Sequence, residues 1–386
     1  MVQHLVVLTK GNKMQVKDFV NAIGADFYAG VPDSLLGALC DYLYDNFGIS
    51  EKHIVAANEG NAVALAAGHY IATGRKGLVY MQNSGIGNAL NPIASLTNEK
   101  IYGIPMVFVV GWRGEPDVHD EPQHVFQGMI TVPLLDLLGI KVKIVDKDTK
   151  PEDVKAFLDG CSGDFEKGLS AALVVRKGAL CYDKKPDYYS SGVMSRERAI
   201  ELISEKFPGD VFVSTTGKAS RELFEIRERR HEPHDSDFLT VGSMGHASSI
   251  ALELAIEMKN RRIILIDGDG ACVMHMGSLL VAAELRPNNL VHFVINNGVH
   301  DSVGGMPTPA KGRSLSAIAE ACGYDRVFGA GTEEELCGLL DKLAGDSSGG
   351  LTFAEVFTTR GARADLGRPT LSAKENIDNF TAFLRK

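Results

Sequence analysis

Two neighbouring strand ends in the second half of the chain carry residues that could hold a metal ion and a phosphate. The run Ile263–Ile266 passes into Asp267-Gly268-Asp269-Gly270, and the next apolar run ends in Asn296-Asn297. Parallel strands here deliver a carboxylate and an amide oxygen to one point at the carboxyl edge of a sheet, where open α/β folds bind ligands. Hard oxygen ligands suit Mg²⁺, which keeps part of its hydration and bridges to phosphate oxygens. Gly268 and Gly270 let the backbone approach a diphosphate, and the following helix offers its N-terminal dipole. Gly-Asp-Gly alone is an ordinary tight turn. The asparagine pair at the next strand end reverses that balance.

Three further strings stand at comparable strand ends. Asn58-Glu59-Gly60-Asn61-Ala62 opens an apolar helix directly after His53–Ala57. A Glu there more often serves the helix dipole than catalysis. Val241-Gly242-Ser243-Met244-Gly245 precedes the helix before the Gly-Asp-Gly strand, and Thr216-Gly217-Lys218 follows Val211–Ser214. A Met beside glycines is usually core filling, and the second string also reads as a plain helix cap.

The Gly-Asp-Gly and Asn-Asn pairing resembles the thiamine-diphosphate signature of the decarboxylase and acetolactate synthase superfamily. The resemblance implies that Asp269, Asn297 and the main-chain oxygen of Val299 hold Mg²⁺. It implies that Gly268, Gly270, Ala271, Ser243, Thr216, Gly217 and Lys218 lie along the cofactor. Glu59 would hydrogen-bond the aminopyrimidine ring. The Gly242 carbonyl would face the 4'-amino group, and Met244 would be the apolar wedge that bends the cofactor.

The elements that must position these residues alternate. Asp26–Gly30, His53–Ala57, Leu78–Gln82, Met106–Val110 and Ala171–Val175 read as buried strands; 35–47, 60–73 and 87–99 read as helices. The polar stretch Lys184–Gly192 reads as a linker. Beyond it, strands at 211–214, 262–267, 290–296 and 352–357 alternate with helices at 219–229, 247–259, 277–284, 315–322 and 333–343, after a helix capped by Ser195. This pattern predicts an α/β chain of two doubly wound parallel-sheet domains, 1–184 and 193–386. The resemblance makes the first the pyrimidine-binding domain and the second the diphosphate- and Mg²⁺-binding domain. There is no room for the central third domain that most superfamily members carry.

That compact build resembles the phosphonopyruvate and sulfopyruvate decarboxylases. Strings at 111–116, 120–124, 296–305 and 363–369 favour the former; His119 and Met306 depart from the expected pattern. The implied reaction is decarboxylation of 3-phosphonopyruvate to phosphonoacetaldehyde. The alternatives are sulfopyruvate decarboxylation, acetolactate-type carboligation, or a noncatalytic cofactor-binding homologue. Candidate proton-transfer groups are Asp33, His124, His300 and Asp301. Asn83, Ser84, Asn88 and Arg113 are candidate substrate ligands, and Asn83, Ser84 and Asn88 also read as simple turn chemistry. Arg360, Arg363, Arg368, Lys311 and Arg313 are further candidate cations for a second anionic group. Glu59 and Asp269 fall in different domains, which the superfamily brings together between subunits, so a homo-oligomer is expected.

Composition sets the outer bounds. A net charge of -9 argues against nucleic-acid binding. The apolar run Leu5–Leu8 is short for a signal peptide, and no stretch approaches a membrane span. Six cysteines without a C-x-x-C spacing suggest free thiols in a reducing cytoplasm.

Overall fold

Short β-rich runs between helices fold into two parallel sheets, one in each half of the chain. The computed structural model describes residues 13–188, 192–346 and 348–386. The chain divides into two units, Met1–Asp187 and Tyr188–Lys386. The run Leu5–Leu8 and part of the 184–192 stretch lie outside the described residues.

Across the first sheet the strands run His53–Val55, Tyr28–Gly30, Leu78–Gln82, Val107–Gly111, Ala171–Val175, Lys141–Val145, all parallel. The second sheet repeats the plan with Asp237–Leu239, Val211–Ser214, Ile263–Gly268, Leu290–Asn296, Thr352–Phe357, Arg326–Ala330. Counted along the chain, both orders are 2-1-3-4-6-5. Central strands are covered on both faces, so Val107–Gly111 and Ala171–Val175 are buried throughout and read as unbroken apolar runs.

The crossover helices are set by local signals. Helix Glu59–Thr73 starts where the Asn58 side chain accepts the Asn61 N–H at 2.9 Å. It stops at Gly74, whose φ of 69° suits glycine. Ala62, Val63, Ala66 and Ala67 form its buried face. Ser195 caps Arg196–Lys206 in the same way, through the Arg198 N–H. Such caps contribute about 1 kcal/mol each.

In each sheet the order reverses between the first and third strands, which opens a crevice at the carboxyl edge. Residues 31–34 and 83–85 flank it in the first unit; 215–218 and 269–271 do so in the second.

Some elements depart from the periodicity. The expected helix 87–99 is Ile86–Pro92 followed by a π turn, Ile93–Thr97. Pro92 offers no N–H to the ladder, and its ring crowds the preceding turn. Edge strands Lys141–Val145 and Arg326–Ala330 are partly exposed and carry polar residues, so their signal is weak. Helix Pro122–Leu137 hides its period because Val125, Phe126 and Met129 are exposed. Among the described residues no helix is long and apolar enough to cross a membrane. All six cysteines are unpaired.

Candidate active site

In the first unit, Glu59 stands at the start of its helix and is only 5% exposed. Burial pushes its carboxyl above the usual range, against the opposing pull of the Asn88 amide. Asn88 Nδ2 donates to Glu59 Oε2 at 2.7 Å. A Cβ on Gly85 would collide with Glu59 Oε1, so the third strand's turn must carry a glycine for the carboxyl to fit. The result is an oriented acid biased toward its proton-bearing form.

Asp33 follows the first strand and is fully buried. Its Oδ2 accepts the Leu35 and Leu36 N–H groups at 3.2 Å, while Oδ1 has no hydrogen-bond partner among the described residues. Burial raises its pKa to about 6; the Leu36 N–H and then Arg113 oppose that rise. A carboxyl raised from 3.8 to about 6 is neutral below the lower value and ionised, at a cost, above the higher one. The native state therefore loses stability relative to the unfolded chain as pH rises through this window. Two pH units correspond to roughly 3 kcal/mol. Asp33→Asn should therefore raise the melting temperature at pH 7.5, with the gain shrinking toward pH 4. Equal melting temperatures at pH 7.5 would show that the charge is not under strain.

Arg113 follows the fourth strand. Its Nε and Nη2 donate to the two carboxylate oxygens of Asp120 at 2.8 and 2.5 Å, and Nη1 reaches Ser34 Oγ at 3.2 Å. These bonds use three of its five N–H groups. Arg113, above all by hydrogen bonding, holds the Asp120 carboxyl well below the usual range. Asn83 is a clamp for this turn: Nδ2 donates to Arg113 O and Thr131 Oγ1 at 2.8 and 2.9 Å, and Oδ1 accepts the Arg113 N–H. Ser84 Oγ accepts from Gln82 Nε2 at 2.5 Å. His124 lies in the first turn of Pro122–Leu137. The backbone of that helix touches the Arg113 turn so closely that a Cβ on Gly114 would strike His124 O, and one on Gly128 would strike Gly114 O.

The second unit gathers the metal-type residues. Asp269 opens helix Asp269–Met274 after the third strand. Thr308 Oγ1 donates to its Oδ2 at 2.5 Å, and burial pushes its carboxyl up to about 7 against that bond. Asn297 Oδ1 accepts the Val299 N–H at 3.1 Å, and Gly298 O accepts the Thr308 N–H at 2.9 Å. Thr308 was not legible as a site residue. It arrives through the hairpin that pairs Val299–His300 with Met306–Pro307.

Gly270 marks where several candidates converge. A Cβ there would lie 3.3 Å from His300 Nδ1 and 3.4 Å from Met244 Cε. Gly242, with φ 69°, donates its N–H to Thr216 Oγ1 at 3.0 Å, and Ser243 is also left-handed with φ 48°. Ala271 is buried in the same short helix, next to Gly270. His300 is buried, its Nε2 has no hydrogen-bond partner among the described residues, and burial lowers its pKa to about 4. It is a neutral imidazole near pH 7.

Asp301 is occupied differently. Its carboxylate takes Arg196 Nη1 at 2.7 Å and the Gly361 N–H at 3.0 Å, and its carbonyl takes Lys218 Nζ at 3.1 Å. Burial raises its pKa, but Arg196 and Lys218 outweigh burial and leave it low. Buried Arg196 also forks onto Glu222 at 2.7 and 2.8 Å. Gly217, with φ 99°, precedes Lys218 at the start of that residue's helix. Arg363 pairs with Glu197, Glu225 and Asp365.

Family models match both units. Residues 14–135 match the thiamine pyrophosphate enzyme N-terminal TPP binding domain, and 215–356 match its C-terminal TPP binding domain. Phosphonopyruvate decarboxylase of Streptomyces viridochromogenes is 33% identical over 95% of this chain and 93% of its own length. The chain belongs to the thiamine pyrophosphate enzymes. Phosphonopyruvate decarboxylase of Streptomyces hygroscopicus is also 33% identical, over 94% of this chain and 92% of its length. Sulfopyruvate decarboxylase of Methanosarcina acetivorans is 27% identical over 83% of this chain and 84% of its length.

Family membership makes thiamine diphosphate the cofactor of this thiamine pyrophosphate enzyme. The residues present fit it. Asp269 is a buried carboxylate whose donors are a hydroxyl and backbone N–H groups. A divalent cation stabilises such a group, and Mg²⁺ with a diphosphate matches its oxygen-rich surroundings. Glu59, in the unit matching the N-terminal domain, offers a buried proton donor for a nitrogen heterocycle.

Proposed function

We propose that the chain decarboxylates 3-phosphonopyruvate, giving phosphonoacetaldehyde and CO₂, with thiamine diphosphate and Mg²⁺. The observation that carries this reading is the match to phosphonopyruvate decarboxylases along nearly the whole of both chains. The buried, Asn88-oriented Glu59 supports it at the level of chemistry. CO₂ release by the purified protein from phosphonopyruvate, sulfopyruvate and pyruvate, measured in parallel, tests it. Faster turnover of sulfopyruvate would favour the second reading, which the Methanosarcina relative supports. No CO₂ from any of the three would overturn decarboxylation.

Bound thiamine diphosphate supplies the electron sink for the electron pair that the departing CO₂ leaves behind. Glu59 holds a proton at its carboxyl for the aminopyrimidine ring, with Oε2 fixed by Asn88. Asp269, Asn297 and Val299 O would hold the metal. The Gly242 carbonyl would receive the ring's amino group, and Met244 would form the apolar wedge. Neutral His300 and partly protonated Asp33 are the groups able to accept or return a proton near pH 7; His124 is the further pocket candidate. Asp301 anchors the loop that carries His300. Asn83 positions the Arg113 turn. The active unit is a homo-oligomer in which Glu59 of one copy serves Asp269 of another.

Arg113 is the proposed phosphonate anchor: Asp120 and Ser34 take three of its N–H groups and leave one on Nη1 and one on Nη2 for an anion. Removing it alone would strand Asp120, so the informative variant is Arg113→Met with Asp120→Asn. Losing a charge-assisted bond of about 1.5–3 kcal/mol corresponds to a KM rise of about tenfold to a hundredfold for phosphonopyruvate. Pyruvate lacks the second anion and should be little affected. Equal losses for both substrates would remove Arg113 from this role.

A further inference from the structure

A carboxylate far from the Gly-Asp-Gly motif sits beneath the metal-type residues. Glu355 lies in the strand Thr352–Phe357, beside Leu290–Asn296, and is 0% exposed. No salt bridge neutralises it among the described residues. Its two oxygens instead collect donors. Oε1 accepts Asn296 Nδ2 at 2.7 Å and the Leu315 N–H at 3.3 Å. Oε2 accepts the Ser316 N–H and the Ser316 hydroxyl, both at 2.9 Å. The two N–H groups belong to the first turn of helix Leu315–Cys322, where the helix dipole favours negative charge.

Asn296 passes this constraint on. With Nδ2 fixed by Glu355, its Oδ1 faces the other way and accepts the Gly298 N–H at 3.0 Å. That bond closes the turn around Asn297, and Gly298 has a φ of 71°. Gly298 O in turn accepts the Thr308 N–H, and Thr308 Oγ1 donates to Asp269. An unbroken chain of hydrogen bonds thus runs from Glu355 through Asn296, Gly298 and Thr308 to Asp269.

We infer that Glu355 is a positioning residue for the Mg²⁺–diphosphate site: by orienting the Asn296 amide it sets the turn that presents Asn297 and Thr308. It does not touch the metal. The amide of Asn296 could otherwise flip and point its oxygen at the Glu355 carboxylate, but two acceptors cannot bond one another, so a single orientation survives. Partners one shell out from a metal typically change its affinity about 10–100-fold when removed. This inference rests on the reading of Asp269 and Asn297 as metal ligands.

The test is calorimetric titration of thiamine diphosphate in excess Mg²⁺, with far-UV circular dichroism and melting temperature as fold checks. Glu355→Gln places an amide donor against donors, and the expected result is a Kd about 10–100-fold weaker. At saturating cofactor, the KM for the keto acid should stay near wild type. A general structural fault would instead raise KM as well. If Glu355→Gln does not fold, Asn296→Ala decides, because the helix N–H groups still satisfy Glu355; it should weaken cofactor binding comparably. Where both fold, the double variant should be no weaker than the worse single one, since one chain is broken either way. Wild-type affinity in Asn296→Ala or Glu355→Gln, with Asp269→Ala unable to bind, overturns the inference and leaves the site reading standing. Normal binding by Asp269→Ala overturns the site reading, and this inference with it.

Discussion

Glu59→Gln should bind thiamine diphosphate nearly as well as wild type and lose about 10²–10⁴-fold in kcat. General acid–base groups contribute on that scale, and the amide of Gln cannot release a proton to the ring. The structure makes this a clean substitution. Glu59 Oε1 lies against Gly85, where Gln has the same outline, and Oε2 already accepts from Asn88. A Gln oxygen in the Oε2 position keeps the Asn88 bond, so the helix start is preserved. Burial disfavours the ionised form of the Glu59 carboxyl, so a neutral amide in its place should melt no lower than wild type at pH 7.5. Titration calorimetry and single-turnover CO₂ release separate binding from chemistry. A Glu59→Gln enzyme with wild-type kcat would remove Glu59 from the reaction.

Asp269→Ala is expected to fail at the opposite step. Its carboxylate is the sole charged side chain proposed for the metal, so the neutral oxygens of Asn297 and Val299 would be left to hold a divalent ion. The affinity loss should exceed the range of about 10–100-fold seen for outer partners, and the protein should emerge from gel filtration without cofactor. The fold should survive, because a buried carboxyl raised to about 7 is a cost to the empty unit rather than a support. The two variants together also report on assembly. If Glu59 of one copy serves Asp269 of another, mixed and re-equilibrated Glu59→Gln and Asp269→Ala chains regain part of the activity that neither has alone. If every chain completes its own site, the mixture stays inactive.

The strands and the turns after them were legible because their signals are local. Leu78–Gln82, Ala171–Val175, Val211–Ser214, Leu290–Asn296 and Thr352–Phe357 coincide with the apolar runs. Glu59, Asp269 and Asn297 stand at strand ends that the same runs define. What sequence could not supply is the partner of each functional group. Asn88 meets Glu59 because neighbouring crossover helices pack at one sheet edge. Glu355 meets Asn296 because two strands lie in register across a long sequence gap. Asp301 looked like chemistry beside His300, yet Arg196 and Gly361, distant in sequence, take its carboxylate. Polar residues declare their type in sequence, but their assignment depends on long-range packing.

The backbone contact between Gly114 and Gly128 fixes the turn that carries Arg113, the proposed anion anchor. Helix Pro122–Leu137 and the Arg113 turn meet with no space for a side-chain atom at either position. Evolution has no gradual route through these two sites, because even alanine would push the helix off the turn and carry Arg113 and Asp120 with it. Trp112 Nε1 donates to Gly128 O at 2.9 Å and Glu115 pairs with Arg176, so room for change at this turn lies in the exposed stretch Pro116–His119. His119, which departs from the expected pattern, lies in that permissive stretch. The rigid glycine contact thus separates what a lineage must keep from what it can retune.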